Sequence, residues 1–156
     1  MKKILPQLFL IVALCACNNH KPAENKNYNN PVEADEHHSG TTNEKLELNN
    51  GAKWKADSTT NNNVKNLKLI LAKFDSGSDK SLSAYKKAQS DLQKGIDKMI
   101  TECKMEGPNH LALHKWLEPL IVRVTSFKQA PTEPDAAEAL KTVEAQLNLY
   151  DQYFEL

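Results

Sequence analysis

The sequence predicts an all-α protein, an up-down-up-down four-helix bundle that follows a signal peptide and a flexible tether. Two observations lead to this prediction. From residue 58 onward, apolar side chains recur at spacings of three and four through four segments, which is the periodicity of amphipathic helices. Short breaks rich in Gly, Pro, Ser and Asp separate these segments, and such breaks are typical of loops. We expect a strand content close to nil.

Residues 1–16 have the features of an export signal. Two lysines near the start are followed by an apolar stretch that ends at Leu14. This stretch is too short for a membrane-spanning helix, which needs about 20 apolar residues. A bacterial lipobox consists of an aliphatic residue, a tolerant position, a small residue and a cysteine. The residues Leu14, Cys15, Ala16 and Cys17 follow this order. We therefore predict cleavage before Cys17 and lipidation of Cys17.

A lipid on Cys17 makes a membrane the first expected partner. A lipoprotein cysteine carries several acyl chains, and two or more chains hold a protein firmly on a membrane. We expect an anchor in the cell envelope, on the outer membrane in preference, with the domain facing the periplasm or the cell surface. The chain has 20 basic and 20 acidic residues, so it lacks the basic excess that is typical of nucleic-acid-binding proteins.

Residues 17–45 are expected to form the tether. They are rich in Asn, Lys, Glu, Pro and His and contain almost no large apolar residue, so they cannot bury enough surface to offset the entropy of ordering. His37 and His38 lie among acidic residues and form a weak metal-binding tract, but a solvated tether is the favoured interpretation. The globular domain covers residues 46–156, enough for one core.

The first predicted helix runs from Ser58 to Phe74. A short extended arm and a turn, residues 46–51, precede it, and we expect Trp54 to pack on the body of the domain. A polar break at residues 75–79 follows the helix. The inner face repeats at spacings of three and four: Val64, Leu67, Leu71 and Phe74.

The second predicted helix has the clearest periodicity in the chain. It ends near Cys103 or Lys104, before the pair Gly107 and Pro108. The third begins at Asn109, a residue type that caps helices well, and Pro119 inside it should bend it. The inner stripe of the second helix is Leu82, Tyr85, Gln89, Leu92, Ile96, Met99 and Cys103. The stripe of the third is His110, His114, Leu117, Ile121 and Val124.

The fourth predicted helix follows a loop over residues 129–134. Thr132 and Asp135 resemble a capping box, and Pro134 suits the first turn of a helix. The inner face of this helix consists of Leu140, Val143, Leu147, Tyr150 and Phe154.

Four side chains that can bind a soft metal ion surround the turn between the second and third helices. Cys103 closes the inner stripe of one helix, and Met105 lies in the turn. His110 and His114 are one helical turn apart and face the same way. We therefore predict a metal site at this end of the bundle, with Cys103, Met105, His110 and His114 as its ligands.

Cysteine usage favours copper at this site. Cys15 leaves with the signal and Cys17 carries lipid, so Cys103 is the only thiol and has no disulfide partner. Cys and Met are soft donors that prefer Cu(I), and imidazole accepts copper or zinc. Zinc is the alternative, held by Cys103, both histidines and either Glu102 or Glu106. Haem is a weaker alternative, because the attachment motif Cys-x-x-Cys-His is absent.

A structural role for the same residues is the competing interpretation. Cysteine is often buried as a small apolar residue, and the cluster would then only pack the helix hairpin. An enzyme is not favoured, because the chain has neither a nucleophile elbow nor a Gly-rich phosphate loop. The only nucleophile pair is Cys103 with His110 or His114.

The turn also resembles a family of small, largely uncharacterised lipoproteins of Gram-negative bacteria. In that family a Cys-x-Met-x-Gly turn precedes His-x-x-x-His-x-Trp-Leu, as residues 103–107 and 110–117 do here. The segment Gly-Ala-Lys-Trp-Lys around Trp54 is similar too. The resemblance implies that the family's signature cluster is Cys103, Met105, His110 and His114, and it implies no particular activity.

The predicted topology places the start of the first helix and the end of the fourth beside this turn. We expect an apolar collar around the metal, formed by Trp54, Asp57, Tyr150 and Phe154. The expected function is a membrane-anchored lipoprotein that binds copper or zinc for buffering, sensing or transfer. The alternative is a structural lipoprotein that binds another envelope protein and no metal.

Overall fold

Four long helices make up most of residues 45–155, the part of the chain that the computed structural model describes. They are α1 (Ser58–Ser76), α2 (Leu82–Glu102), α3 (Gly107–Lys128) and α4 (Glu133–Asn148). The remaining elements are two-residue strands and one helical turn: β1 (Trp54–Lys55), α5 (Tyr150–Tyr153) and β2 (Phe154–Glu155). The predicted all-α four-helix bundle is confirmed.

The predicted signal, lipidation site and tether all lie outside the described residues, except for Lys45. Within residues 45–155, no helix has both the length and the apolar character needed to cross a membrane. Among the described residues, the hydrophobic core draws on all four long helices.

Three of the long helices begin at side chains that cap them. The carboxylate of Asp57 accepts a hydrogen bond from the Thr60 backbone N–H at 2.6 Å and starts α1. The hydroxyls of Ser81 and Thr132 do the same for α2 and α4. Such caps satisfy backbone donors that the first turn leaves unpaired. The predicted start of the fourth helix at Thr132 is confirmed.

The predicted start of the third helix at Asn109 is wrong. Helix α3 begins two residues earlier, at Gly107, with Glu106 in the capping position and no capping side chain. Gly107 has φ 62°, which glycine adopts without a steric penalty. Pro108 then suits the first turn, because its fixed φ is helical and its missing N–H would have no partner there. Asn109 is therefore already inside the helix.

The chain ends of the domain meet in a short parallel strand pair. In this pair Trp54 lies opposite Phe154, and the Ala56 N–H donates to the Glu155 carbonyl at 2.9 Å. The prediction of almost no strand is confirmed, but the placement of Phe154 on the fourth helix is wrong. Helix α4 ends at Asn148, and the backbone of Phe154 pairs with β1 while its ring stacks on Tyr150 at 4.7 Å.

Candidate metal site

A small pocket opens between the C-terminal end of α2 and the first half of α3. It has a volume of about 120 Å³. Three of the four predicted ligands line it, Cys103, His110 and His114, and Glu118 adds a carboxylate. The rest of the wall is apolar and consists of Met99, Ile100, Leu113, Leu117 and Ile121.

The two histidines form a close pair in this pocket. Their Nε2 atoms are 3.0 Å apart, and their rings lie 4.5 Å apart between centroids at 70°. The spacing of four residues on one helix places them on successive turns of the same face. One Nε2 donates a hydrogen bond to the other, so one of the two must be unprotonated. The Nε2 atoms of the two rings therefore face each other within the pocket.

The surroundings of His110 favour the neutral form of its ring. Burial lowers the pKa of His110 most, the nearby His114 lowers it further, and Glu106 raises it. A neutral imidazole has a free ring nitrogen that can bind a metal ion, whereas a charged one has none.

His114 is oriented from its other side by Glu118. The distance from His114 Nδ1 to Glu118 Oε1 is 3.6 Å, and both side chains are about half exposed. This contact turns Nδ1 towards the carboxylate and leaves Nε2 facing His110. Metal-binding histidines commonly have a carboxylate on the ring nitrogen that does not bind the metal. Glu118 was missed from the sequence, although its spacing of four from His114 is the signal that would have found it.

Cys103 is a free, half-buried thiol at the end of α2. Its backbone N–H donates to the Met99 carbonyl at 3.0 Å, which closes the last turn. Burial raises the pKa of Tyr150, and the negative charges of Asp57, Asp151 and Cys103 raise it further. Cys103 therefore lines the histidine pocket and also lies near Tyr150.

The structure does not bring Met105 into the pocket. Met105 is buried, with 9% of its surface exposed, and belongs to the hydrophobic core. Within the described residues, no three His, Cys, Asp or Glu side chains are arranged as a group that could hold a metal ion. The four-ligand arrangement predicted from the sequence is therefore not assembled, and the histidine pair is the part of it that is in place.

Neither of the two acidic residues considered for zinc lines the pocket. The carboxylate of Glu102 accepts a hydrogen bond from Asn63 Nδ2 at 2.9 Å, and it lies 3.7 Å from Lys98. Glu106 is exposed and precedes α3. Glu118 is the carboxylate that lines the pocket.

The predicted collar lies at the expected end of the bundle but does not cover the histidines. The pKa of Asp57 is lowered partly by the Lys104 backbone N–H, so the start of α1 lies against the α2–α3 turn. The Tyr150 hydroxyl donates to Asn61 at 3.1 Å, and its ring packs on Trp116. None of the four collar residues lines the histidine pocket, so the prediction that they shield it is wrong.

Comparisons with protein-family models, curated proteins and solved structures find no match for this chain. The resemblance to small lipoproteins therefore stays a prediction. The function has to be inferred from the chemistry of the pocket.

Proposed function

We propose that the protein is a lipid-anchored metal-binding protein of the cell envelope, with its metal between α2 and α3. The proposal is carried by one observation, the 3.0 Å distance between the Nε2 atoms of His110 and His114. Cys17 would provide the lipid anchor. The histidine pocket would take up copper in preference, or zinc as the alternative, for buffering, sensing or transfer.

The distance between the two nitrogens suits binding of one ion on neighbouring coordination positions. A metal–imidazole bond is about 2.0–2.1 Å long, so two such bonds separate their nitrogens by about 2.9 Å at a right angle and about 3.3 Å in a tetrahedron. The observed 3.0 Å lies within this range. An ion can therefore replace the shared hydrogen between the two rings with little movement.

Cys103 is the proposed third ligand and the reason for favouring copper. It lines the same pocket, and rotation about its side-chain bond would turn the thiolate towards the two rings. One thiolate with two imidazoles is a ligand set of copper sites in proteins. Without Cys103, the histidines and Glu118 would form a site of nitrogen and oxygen ligands, which suits zinc. Met105 has no part in this proposal, because it is buried in the core.

The decisive experiment measures retained metal. The domain of residues 45–156 is incubated under reducing conditions with Cu(I) or Zn(II), desalted and analysed by elemental mass spectrometry. We expect one retained copper ion per chain and a weaker uptake of zinc. His110→Ala and His114→Ala should each abolish retention, and Glu118→Gln should weaken affinity by roughly tenfold to a hundredfold, as expected when an orienting carboxylate is lost.

Met105→Leu is the matched control, because it removes a thioether from the sequence motif while preserving the apolar volume. It should retain metal like the unaltered chain. Circular dichroism of every variant separates loss of metal from loss of fold. If folded protein retains neither ion, or if Met105→Leu abolishes retention as the histidine variants do, the proposed site is wrong.

A second candidate function, binding to another envelope protein, is favoured by exposed apolar side chains on the outer surface. Leu111 and Val122 are 63% and 64% exposed, and their spacing of about three helical turns places them on the same face of α3. An exposed apolar face of this kind often marks a contact surface. Crosslinking in intact cells would test this function. A protein partner that is lost in Leu111→Lys and Val122→Lys but retained in His114→Ala would support it.

A further inference from the structure

A second concave feature, which we call the α1–α2 groove, lies at the opposite end of α2 from the histidine pocket. It runs between the C-terminal part of α1 and the N-terminal half of α2 and has a volume of about 600 Å³. This volume is within the range of small-molecule sites, about 300–1,000 Å³. The groove is separate from the metal proposal, because it shares no lining residue with the histidine pocket.

The floor of the α1–α2 groove is apolar and is formed by both helices. Ile70 and Phe74 contribute large side chains from α1, whereas α2 contributes only Ala84 and Ala88. Small residues on one helix leave a furrow beside the larger residues of its neighbour. The helices approach closely just beyond the furrow, at Gly95, where an added Cβ would lie 2.6 Å from a Leu67 methyl.

The rim of the groove carries a net positive charge, with three lysines against the carboxylates of Asp79 and Asp91. Lys73 lies on the α1 side and Lys94 on the α2 side. Within residues 45–155, neither ammonium group has a hydrogen bond or an ion pair. The third lysine of the rim, Lys87, is paired with Asp91 at 2.6 Å. The groove therefore combines an apolar floor with two free cations.

The two free cations lie at the same level of the groove. Ile70 approaches Gly95 closely, since a Cβ there would be 3.7 Å from its terminal methyl. Lys73 follows Ile70 by about one helical turn, and Lys94 directly precedes Gly95. From Ile70 to Gly77 the groove extends by about 10 Å along α1. A ligand with one charged end and a linear apolar body fits this arrangement.

We propose that the α1–α2 groove binds a fatty acid. The acyl chain lies on Ile70, Phe74 and Ala88, and the carboxylate lies between the ammonium groups of Lys73 and Lys94. Burial of the chain removes apolar surface of both partners from water. The carboxylate supplies the counter-charge that the two lysines lack, through charge-assisted hydrogen bonds. A cationic amphiphile would meet uncompensated repulsion at the same position.

Isothermal titration calorimetry of the domain with octanoate, decanoate and dodecanoate, each below its micelle concentration, tests this proposal. Affinity should rise by roughly tenfold from octanoate to decanoate, since each buried methylene contributes a similar increment. The gain from decanoate to dodecanoate should be smaller, because the groove is only about 10 Å long. Dodecylammonium, a probe of equal length and opposite charge, should bind at least tenfold more weakly than dodecanoate. Equal binding of the two probes would overturn the proposal, as would no binding of dodecanoate.

Two sets of variants locate the site. Lys73→Glu/Lys94→Glu should weaken dodecanoate binding by at least tenfold, and Ala84→Trp should block the groove without touching the charges. The matched control is Lys65→Glu/Lys86→Glu, which makes the same charge change at exposed positions outside the groove on the same two helices. Circular dichroism confirms that each variant is folded. An equal loss of binding in the control variant would show a general charge effect and overturn the assignment.

Discussion

Trp116 is the residue on which the packing of three helices depends. It is completely buried, its Nε1 donates to the Gln146 carbonyl at 3.0 Å, and the Gln146 side chain donates back to the Trp116 carbonyl at 2.9 Å. Its ring also meets Tyr150 edge to face at 4.9 Å. Through these contacts the Trp116 side chain connects α3 with both α4 and α5.

Trp116→Ala should lower the free energy of unfolding by about 3–5 kcal/mol, because it leaves a large cavity in the core. Urea denaturation monitored by circular dichroism measures the change. Leu111→Ala is the matched control on the same helix, since Leu111 is 63% exposed. Its effect should stay within about 0.5 kcal/mol. Similar losses in the two variants would contradict the central position of Trp116.

Asp57 makes the stability of the start of α1 depend on pH. Burial raises the pKa of this carboxyl, but hydrogen bonds from Thr60 and from the Lys104 backbone lower it by more, so the folded pKa lies below its ordinary value of 3.8. The ionised form therefore stabilises the fold. This contribution is complete above the unfolded pKa and disappears as the pH falls through the folded pKa.

Asp57→Ala should cost about 1 kcal/mol of unfolding free energy at neutral pH, the usual value for a lost helix cap. The difference between the unaltered chain and the variant should shrink once the pH falls below about 4. Urea denaturation at a series of pH values measures it. Asp57→Asn, which retains a capping side chain without the charge, is the control. A pH-independent difference for Asp57→Ala would argue against a lowered pKa.

The candidate site was partly predictable because its main signal is local. The spacing of His110 and His114 on one helix determines that their rings face the same way, and the structure has them 3.0 Å apart. The position of Met105 is different, because its burial depends on packing against other elements. Nothing in the local sequence of the turn distinguishes a methionine that faces a pocket from one that fills the core.

At the scale of elements, the contact between α1 and α2 depends on one glycine. A Cβ on Gly95 would be 2.6 Å from the Cδ2 atom of Leu67, which is itself completely buried. Glycine inside a helix costs about 1 kcal/mol relative to alanine. Its presence here allows the two helices to approach more closely than an alanine would permit.

Gly95→Ala should therefore destabilise the protein, by about 1 kcal/mol, despite the better helix propensity of alanine. The overpacking cost of about 1–3 kcal/mol exceeds the gain in propensity. Thermal and urea unfolding measure the change. In Gly95→Ala/Leu67→Ala the cost should be smaller than the sum of the two single changes, because the collision is removed. Additive costs would show that the two residues do not meet.

Most helix boundaries were predictable, and the two errors have different causes. Helices α1, α2 and α4 follow from periodicity and capping residues, which are local signals. The start of α3 was misplaced because Gly107 and Pro108 outweighed the capping preference of Asn109. Phe154 was misplaced because its backbone partner, Trp54, is about a hundred residues away, and no local pattern encodes such pairing.

At the scale of the whole molecule, the two proposed sites lie at opposite ends of α2. The histidine pocket is beside the C-terminal end of this helix, and the α1–α2 groove lies along its N-terminal half. The shared core lies between them and includes fully buried Leu92, Ile96 and Met99. Because no lining residue is common to the two sites, we expect the affinity for the metal ion not to depend on whether the fatty acid is bound.

The pairing of β1 with β2 also has a kinetic consequence. These strands join residues that are about a hundred positions apart, so their contact closes a very long loop. Closing such a loop costs conformational entropy, and we expect this contact to form late in folding. A two-residue strand pair with few hydrogen bonds is also among the first parts of a fold to open. Tyr150, whose ring stacks on that of Phe154, is next to this strand pair. Brief opening at the chain ends would therefore expose the Tyr150 ring before the bundle itself unfolds.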